Sequence, residues 1–204
     1  MDAPELPFEY CALRFLIQWK QREKSLHDQM AGNPSLAEIR SALRYFQVAR
    51  TFKGLRSDDA AQIVADALRN VDEQSQLSPE DKVTKLASRF KDKFNQFNLS
   101  ASSKLFWLKH KEPYVIYDSR AVAALRELGC DFPNANYAAY CKCWRDQYSQ
   151  HKRAISQASS RLREVKAFLP PWHRTETDLA TLASQSWFLE RVFDTYLWEI
   201  GGED

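Results

Sequence analysis

The stretch from Ser102 to Ala121, SSKLFWLKHKEPYVIYDSRA, decides the fold because it passes from a helical pattern to an extended one and back. The residue before Pro113 is pushed out of the helical region, so KEPYVIY is predicted to be extended. Asp118 follows the apolar triplet VIY at once, although a charged carboxylate is costly to bury without a partner. The next segment, DSRAVAALRELG, is predicted to be a helix with Asp118 as N-cap and Gly129 as its stop.

Capped amphipathic segments surround this stretch and predict an all-α fold. Asn33 precedes Pro34 as a plausible N-cap, and Ser57 precedes two acids that suit the first turn of a helix. Ser78 precedes Pro79 in the same way, and a serine near Ser100 is expected to cap SASSKLFWLK. Further helices are expected over about 8–30, after residue 134 and over about 177–200, with turns at 52–57, 73–79 and 167–175.

Composition places the chain among globular proteins. It has 204 residues, of which 44% are hydrophobic and 27% charged, and only 5 are glycine. These values argue against disorder, an all-β fold or a glycine-rich phosphate loop. We expect one domain over residues 1–204, built as two helical lobes around a central cleft. No apolar run is long enough to span a membrane, and the N-terminus does not resemble a signal peptide, so a cytoplasmic location is expected.

The four cysteines, Cys11, Cys130, Cys141 and Cys143, match no zinc or disulfide framework. The C-x-C at 141 and 143 fits either half of a metal site or free thiols in a reducing compartment. We therefore expect no metal and no cofactor.

The net charge of +2 is unevenly distributed. Residues 100–166 contain twelve Lys and Arg against six Asp and Glu, whereas the remaining C-terminal residues are acidic. A basic block of this kind suits a polyanionic partner such as nucleic acid, and it also fits a solvated helical surface.

The order of these elements resembles the helix-hairpin-helix DNA glycosylases. SSKLFWL…YVIYDSRAV is especially similar to a compact prokaryotic branch of 8-oxoguanine glycosylase-like proteins, and RVFDTYLWEIGG resembles that branch's closing helix. The similarity extends over about residues 36–200. The resemblance implies a helical enzyme that binds double-stranded DNA as a monomer and removes a modified base.

Carried over by position, Asp118 matches the catalytic aspartate of the family, and Lys104 matches the lysine that bifunctional members use as a nucleophile. The residues themselves allow other roles: Asp118 as a helix cap, and Lys104 as a solvated charge or a phosphate contact. Two features depart from the family pattern. The hairpin NLSASS has no glycine, and the interval from the lysine to the aspartate is shorter than in the eukaryotic enzymes. Base removal that leaves an abasic site is therefore expected to dominate over strand cleavage.

Residues for a base pocket and for most DNA contacts follow from the same motifs. The turn TFKGLRS at 51–57 adds Lys53 and Arg56 on either side of Leu55, and it fits either a wedge that fills the hole left by a flipped base or an ordinary interhelical turn. Aromatic faces suit a flipped base, although each of these aromatic residues also fits the core. Arg120 is expected either to bind a phosphate or to brace an acid such as Asp194. Predicted DNA contacts are Ser100, Ser102, Ser103, Lys109, Arg120, Lys53 and Arg56, and predicted pocket residues are Tyr117, Trp144 and Trp198.

The sequence leaves the target base open. A compact chain has little material to enclose 8-oxoguanine tightly, so a bulky base such as a glucosylated cytosine of phage DNA is the first expectation, and anti-phage defence would be its purpose. The alternatives are an 8-oxoguanine repair enzyme with lysine-dependent lyase activity, and a non-catalytic helical module that binds nucleic acid or protein.

Overall fold

The computed structural model of the chain describes residues 6–168 and 179–202. Within these ranges every regular element is a helix, which confirms the all-α prediction. The α-helices are α1 (Phe8–Gln18), α2 (Lys24–Met30), α3 (Leu36–Tyr45), α4 (Asp58–Asp72), α5 (Pro79–Phe94), α6 (Leu99–His110), α7 (Ser119–Glu127), α8 (Tyr137–Ser160), α9 (Leu179–Ala183) and α10 (Ser186–Ile200). A π-helix spans Trp19–Glu23, and 3-10 helices span Val48–Arg50, Lys53–Leu55 and Arg161–Phe168.

The chain divides into two compact units, which we call the terminal unit and the central unit. The terminal unit comprises Met1–Arg22, Asp118–Asp131 and Lys142–Asp204. The central unit comprises Glu23–Tyr117 and Phe132–Cys141.

Two of the predicted helix caps are confirmed in the central unit. Ser57 Oγ accepts a hydrogen bond from Ala60 N at 3.1 Å, and Ser78 Oγ accepts one from Asp81 N at 3.1 Å. Each serine satisfies a backbone N–H that has no partner within its own helix.

The predictions of Asn33 and of a serine near Ser100 as caps are wrong. Ser35 caps α3 because Glu38 lies three residues later and completes a capping box. Asn98 caps α6, and its Oδ1 accepts from the backbone N–H of Ala101 at 2.8 Å. The hairpin between α5 and α6 is thus the four residues 95–98.

The expected helix over 177–200 is divided in two. Helix α9 ends at Ala183 and α10 begins at Ser186, with Gln185 as an extended N-cap. Residues 169–178 lie outside the described residues, and with them the start of the expected helix and most of the expected turn at 167–175.

Helix α6 lies at the centre of the central unit and contacts α2, α3 and α5. Its residues from Ala101 to Leu108 are all buried, so its apolar residues form no single stripe. A helix surrounded by protein on every side is expected to be apolar all round. The buried Ser102, Ser103 and Lys104 depart from that expectation and mark the part of α6 where chemistry could reside.

Helix α10 holds the terminal unit together by packing against α1 and α7. Phe15 of α1 packs on Phe188 with ring centroids 4.9 Å apart. At the other end of α10, a Cβ on Gly201 would lie 2.0 Å from the backbone oxygen of Arg120, and one on Gly202 would lie 2.4 Å from its Nη1. The glycine pair therefore allows the end of α10 to approach the first turn of α7.

Gly201→Ala is expected to destabilise the protein by roughly 1–3 kcal/mol or more, because the added Cβ meets backbone that cannot move aside easily. Gly32→Ala is the matched control, since a Cβ there meets nothing within 4 Å, and its effect should stay within about 0.5 kcal/mol. Thermal unfolding of both variants is the measurement. Equal melting temperatures would contradict the close approach of α10 to α7.

Candidate functional site

The extended segment from Tyr114 to Tyr117 is held by side chains, and no strand lies beside it within residues 6–168 and 179–202. The Tyr137 hydroxyl donates to the carbonyl of Val115 at 2.5 Å, and the Tyr140 hydroxyl donates to the carbonyl of Ile116 at 2.8 Å. Both tyrosines come from the first turn of α8. Because buried carbonyls need partners, these two hydroxyls allow an apolar segment to run through the core without a sheet.

A third hydrogen bond completes the support of this segment. The Ser103 hydroxyl accepts from the backbone N–H of Tyr117 at 2.9 Å. Both Ser103 and Ser102 are fully buried, and the Ser102 hydroxyl donates to the carbonyl of Asn98. The two serines, predicted to contact DNA, instead satisfy backbone groups inside the central unit. Tyr117 is half-buried, and its ring packs on the ring of Tyr140 with centroids 4.9 Å apart.

Asp118 is the N-cap of α7, as predicted. Its Oδ1 accepts from the backbone N–H of Arg120 at 3.1 Å, and its backbone is extended. The side chain is half-buried. A carboxylate that accepts from a backbone N–H at a helix N-terminus is held in one orientation.

Arg120 lies over Trp198 and does not brace Asp194. Its guanidinium carbon is 4.1 Å from the Trp198 ring centroid. The guanidinium of Arg14 approaches the same ring at 5.1 Å and pairs with Glu199. Trp198 remains 36% exposed, so a predicted pocket residue is an accessible aromatic surface next to two cations in the terminal unit.

Trp144 belongs to the core of the terminal unit. It is 1% exposed, and its indole N–H donates to Asp194 Oδ1 at 2.8 Å. The other oxygen of Asp194 accepts from Arg191 at 3.2 Å. This buried network uses the polar atom of Trp144 internally, so the residue predicted for the pocket serves here as a structural donor.

Lys104 is almost fully buried in the central unit, with 3% exposure. Its Nζ donates to the hydroxyl of Ser100 at 2.8 Å and lies 5.7 Å from the ring centroid of Phe46. The expectation of a solvated charge is therefore wrong. Ser100, also predicted to contact DNA, is half-buried and oriented toward the lysine.

Glu23 is a buried acid that the sequence analysis missed. It is 1% exposed, and its Oε1 accepts from the Tyr45 hydroxyl at 3.1 Å. Helical spacing indicates this burial, because Glu23 falls on the same helical face as the apolar residues Trp19, Leu26 and Met30.

Two turns of the central unit lie side by side and form what we call the turn surface, Lys53, Arg56 and Phe97. The Gln96 side chain joins them, because it accepts from the backbone N–H of Lys53 and donates to the carbonyl of Thr51, both at 3.0 Å. Lys53 and Arg56, which are predicted to contact DNA, are exposed, and Phe97 is 37% exposed. The turn surface thus presents two cations and one aromatic ring.

Lys109 is held against the protein surface. Its Nζ donates to the carbonyl of Gly32 at 2.6 Å and lies 3.7 Å from Asp72. A lysine tied in this way has little freedom to reach a phosphate, unlike the exposed Lys53.

The second half of α8 carries a basic, hydroxyl-rich hollow in the terminal unit. Its volume is about 620 Å³, and all the described lining residues are polar or cationic. They are Ser149, Lys152, Arg153, Ser156, Gln157 and Ser160.

The cysteines do not form a metal site within the part of the chain that the structure describes. Cys141 is buried, whereas Cys143 is half-buried and interacts with Cys130. Burial and the neighbouring Cys143 thiol raise the pKa of Cys130 to about 11, so this thiol is protonated at neutral pH. No group of three or more metal-binding side chains occurs among the described residues.

None of the described helices is both long and apolar enough to cross a membrane. Comparisons of the chain with protein-family models, with curated proteins and with solved structures gave no match.

Tyr140→Phe is expected to destabilise the protein by about 1–3 kcal/mol, because it leaves the buried carbonyl of Ile116 without its donor. Tyr10→Phe removes a hydroxyl from a ring that is 45% exposed and should have little effect. Chemical denaturation of the two variants measures the difference. Equal midpoints would show that the Tyr140 hydroxyl does not support the extended segment.

Proposed function

We propose that the protein is a DNA glycosylase that flips out a modified base and hydrolyses its N-glycosidic bond, leaving an abasic site. The observation that carries the proposal is the placement of Asp118. The Asp118 side chain is half-buried, and its carboxylate is oriented by the first turn of α7. In the chain, Asp118 directly follows the extended segment, whose backbone is held by three side-chain hydrogen bonds.

The proposed chemistry requires a fixed anion. When the bond between C1′ and the base nitrogen breaks, its electron pair leaves with the base and positive charge develops on the sugar. The Asp118 carboxylate stabilises that charge and orients a water molecule, which adds to C1′ and gives its proton to the carboxylate. An anion held by a helix N-terminus needs little reorganisation during this step.

Three features support a DNA partner. The hollow on α8 combines Lys152 and Arg153 with serine hydroxyls, a combination that suits phosphate groups. The turn surface adds two exposed cations beside Phe97, a ring able to stack on a base. Lys and Arg also outnumber Asp and Glu over residues 100–166, so this longer stretch of the chain carries a net positive charge as well.

The base itself requires an aromatic contact and polar neighbours. Trp198 offers an exposed ring next to Arg120 and Arg14. We propose that such a surface accepts a base with a bulky polar substituent, such as a glucosylated cytosine of phage DNA, and that the protein acts in anti-phage defence. Repair of 8-oxoguanine is the alternative substrate, and a non-catalytic nucleic-acid-binding module is the alternative function.

Asp118→Asn is expected to abolish base excision while it leaves the melting temperature almost unchanged, because asparagine caps helices about as well as aspartate. The measurement is abasic-site formation on duplexes containing glucosylated hydroxymethylcytosine or 8-oxoguanine, together with thermal unfolding. Ser57→Asn is a matched control that alters a different N-cap and should retain activity.

Normal excision by Asp118→Asn would remove the catalytic role. A large loss of stability would assign Asp118 to folding, and DNA binding without any excision by the wild type would favour the non-catalytic module.

A further inference from the structure

The terminal unit contains two thiols, Cys130 and Cys143, that contact each other. Cys130 follows the end of α7, Cys143 lies in α8, and a side-chain hydrogen bond joins the two. Both are free and only half-buried, whereas Cys11 and Cys141 are buried. The contacting pair therefore consists of the two thiols that a small molecule in solution can reach most readily.

The turn that ends α7 fixes the position of Cys130. Gly129 has a φ of +84°, the left-handed conformation that commonly ends a helix. The backbone N–H of Cys130 donates to the carbonyl of Leu125 at 2.9 Å, and that of Gly129 donates to the carbonyl of Arg126 at 3.0 Å. These two bonds form a Schellman motif, so the backbone that carries the Cys130 thiol is well defined.

Helix α8 presents Cys143 to this turn. Gln147 lies four residues after Cys143 and so shares its helical face. The Gln147 side chain forms a hydrogen bond to the Cys130 thiol and donates to the carbonyl of Leu128 at 3.4 Å. Residues two apart in a helix do not face each other, so the C-x-C spacing separates Cys143 from Cys141, which interacts with Tyr137.

The two thiols also flank one excursion of the chain out of the terminal unit. The chain leaves this unit after Asp131, contributes Phe132–Cys141 to the central unit and returns at Lys142. A bond between the two sulfur atoms would close a loop of 14 residues, counted from Cys130 to Cys143 inclusive. Closing a loop reduces the conformational entropy of the unfolded chain, which stabilises the folded protein.

We propose that Cys130 and Cys143 form a redox site that a small disulfide such as oxidised glutathione converts into an intramolecular disulfide bond. The bond links the end of α7 to α8 within the terminal unit and stabilises the protein. This site goes beyond the proposed base excision and does not depend on it.

The oxidation proceeds by thiol–disulfide exchange. Burial and the Cys143 thiol raise the pKa of Cys130 to about 11, so Cys130 retains its proton and Cys143 attacks first. The Cys143 thiolate bonds to one sulfur of the small disulfide, and the other sulfur leaves as a thiolate. Cys130 then loses its proton and attacks the Cys143 sulfur, which releases the second small thiol. Two cysteine thiols are oxidised, and one small disulfide is reduced to two thiols.

The chemical test treats the reduced full chain with oxidised glutathione and measures its intact mass and its cross-linked peptides. The wild type is expected to lose two hydrogen atoms, to retain no glutathione and to give one peptide pair joined through Cys130 and Cys143. Cys130→Ser should stop at a mixed disulfide between Cys143 and glutathione, because the second attacking thiol is absent. Cys141→Ala is the matched control on α8 and should form the internal disulfide as the wild type does.

Thermal unfolding tests the effect of the loop closure. Oxidation should raise the unfolding midpoint of the wild type by about 5–10 °C, because it constrains a loop of this length in the unfolded chain. The same treatment should leave the midpoint of Cys130→Ser close to its value before oxidation, since no loop is closed.

Glutathione that stays bound to wild-type Cys143, or a disulfide between Cys141 and Cys143, would overturn the pairing. A disulfide between Cys130 and Cys143 with an unchanged midpoint would overturn the stabilising role of the bond. Neither measurement uses DNA, so the redox site can fail while the glycosylase proposal stands, and the reverse is equally true.

Discussion

Burial of α6 from Ala101 to Leu108 is the constraint on which the rest of the structure depends. Helices α2, α3 and α5 pack against it, so the buried polar side chains Ser102, Ser103 and Lys104 must find their partners inside the protein. Ser103 meets this requirement by accepting from Tyr117 N, and Lys104 by its contacts with Ser100 and Phe46. Contacts of α6 inside the central unit thus hold both the extended segment, through Ser103, and the buried amine of Lys104.

The extended segment directly precedes Asp118 in the chain. Within the central unit, the hydroxyls of Tyr137 and Tyr140 bind the carbonyl groups of this segment that a neighbouring strand would otherwise bind. Asp118 then begins α7 with its carboxylate directed at a backbone N–H. A charged residue directly after the apolar triplet VIY is therefore consistent with folding as a helix cap, and the same cap holds the anion that the proposed chemistry requires.

Most of the helix N-caps could be predicted from local sequence, because a cap depends on residues only two or three positions apart. The sequence predicts the caps Ser57, Ser78 and Asp118 correctly, whereas the cap at Ser35 depends on a capping box with Glu38. Partners distant in the chain were not predictable. The burial of Ser102 and Ser103, the indole hydrogen bond of Trp144 and the contact of Tyr45 with Glu23 depend on tertiary packing, which periodicity does not specify.

The central claim is that Asp118 belongs to an enzyme that removes modified bases from DNA. Its most direct test is the yield of abasic sites from phage DNA with glucosylated hydroxymethylcytosine, compared with the same genome unmodified and with an 8-oxoguanine duplex. The account predicts abasic sites in the glucosylated genome and none in the unmodified one. Equal inactivity on both genomes with turnover of the 8-oxoguanine duplex would contradict the bulky-base assignment, and inactivity on all three substrates would contradict the glycosylase itself.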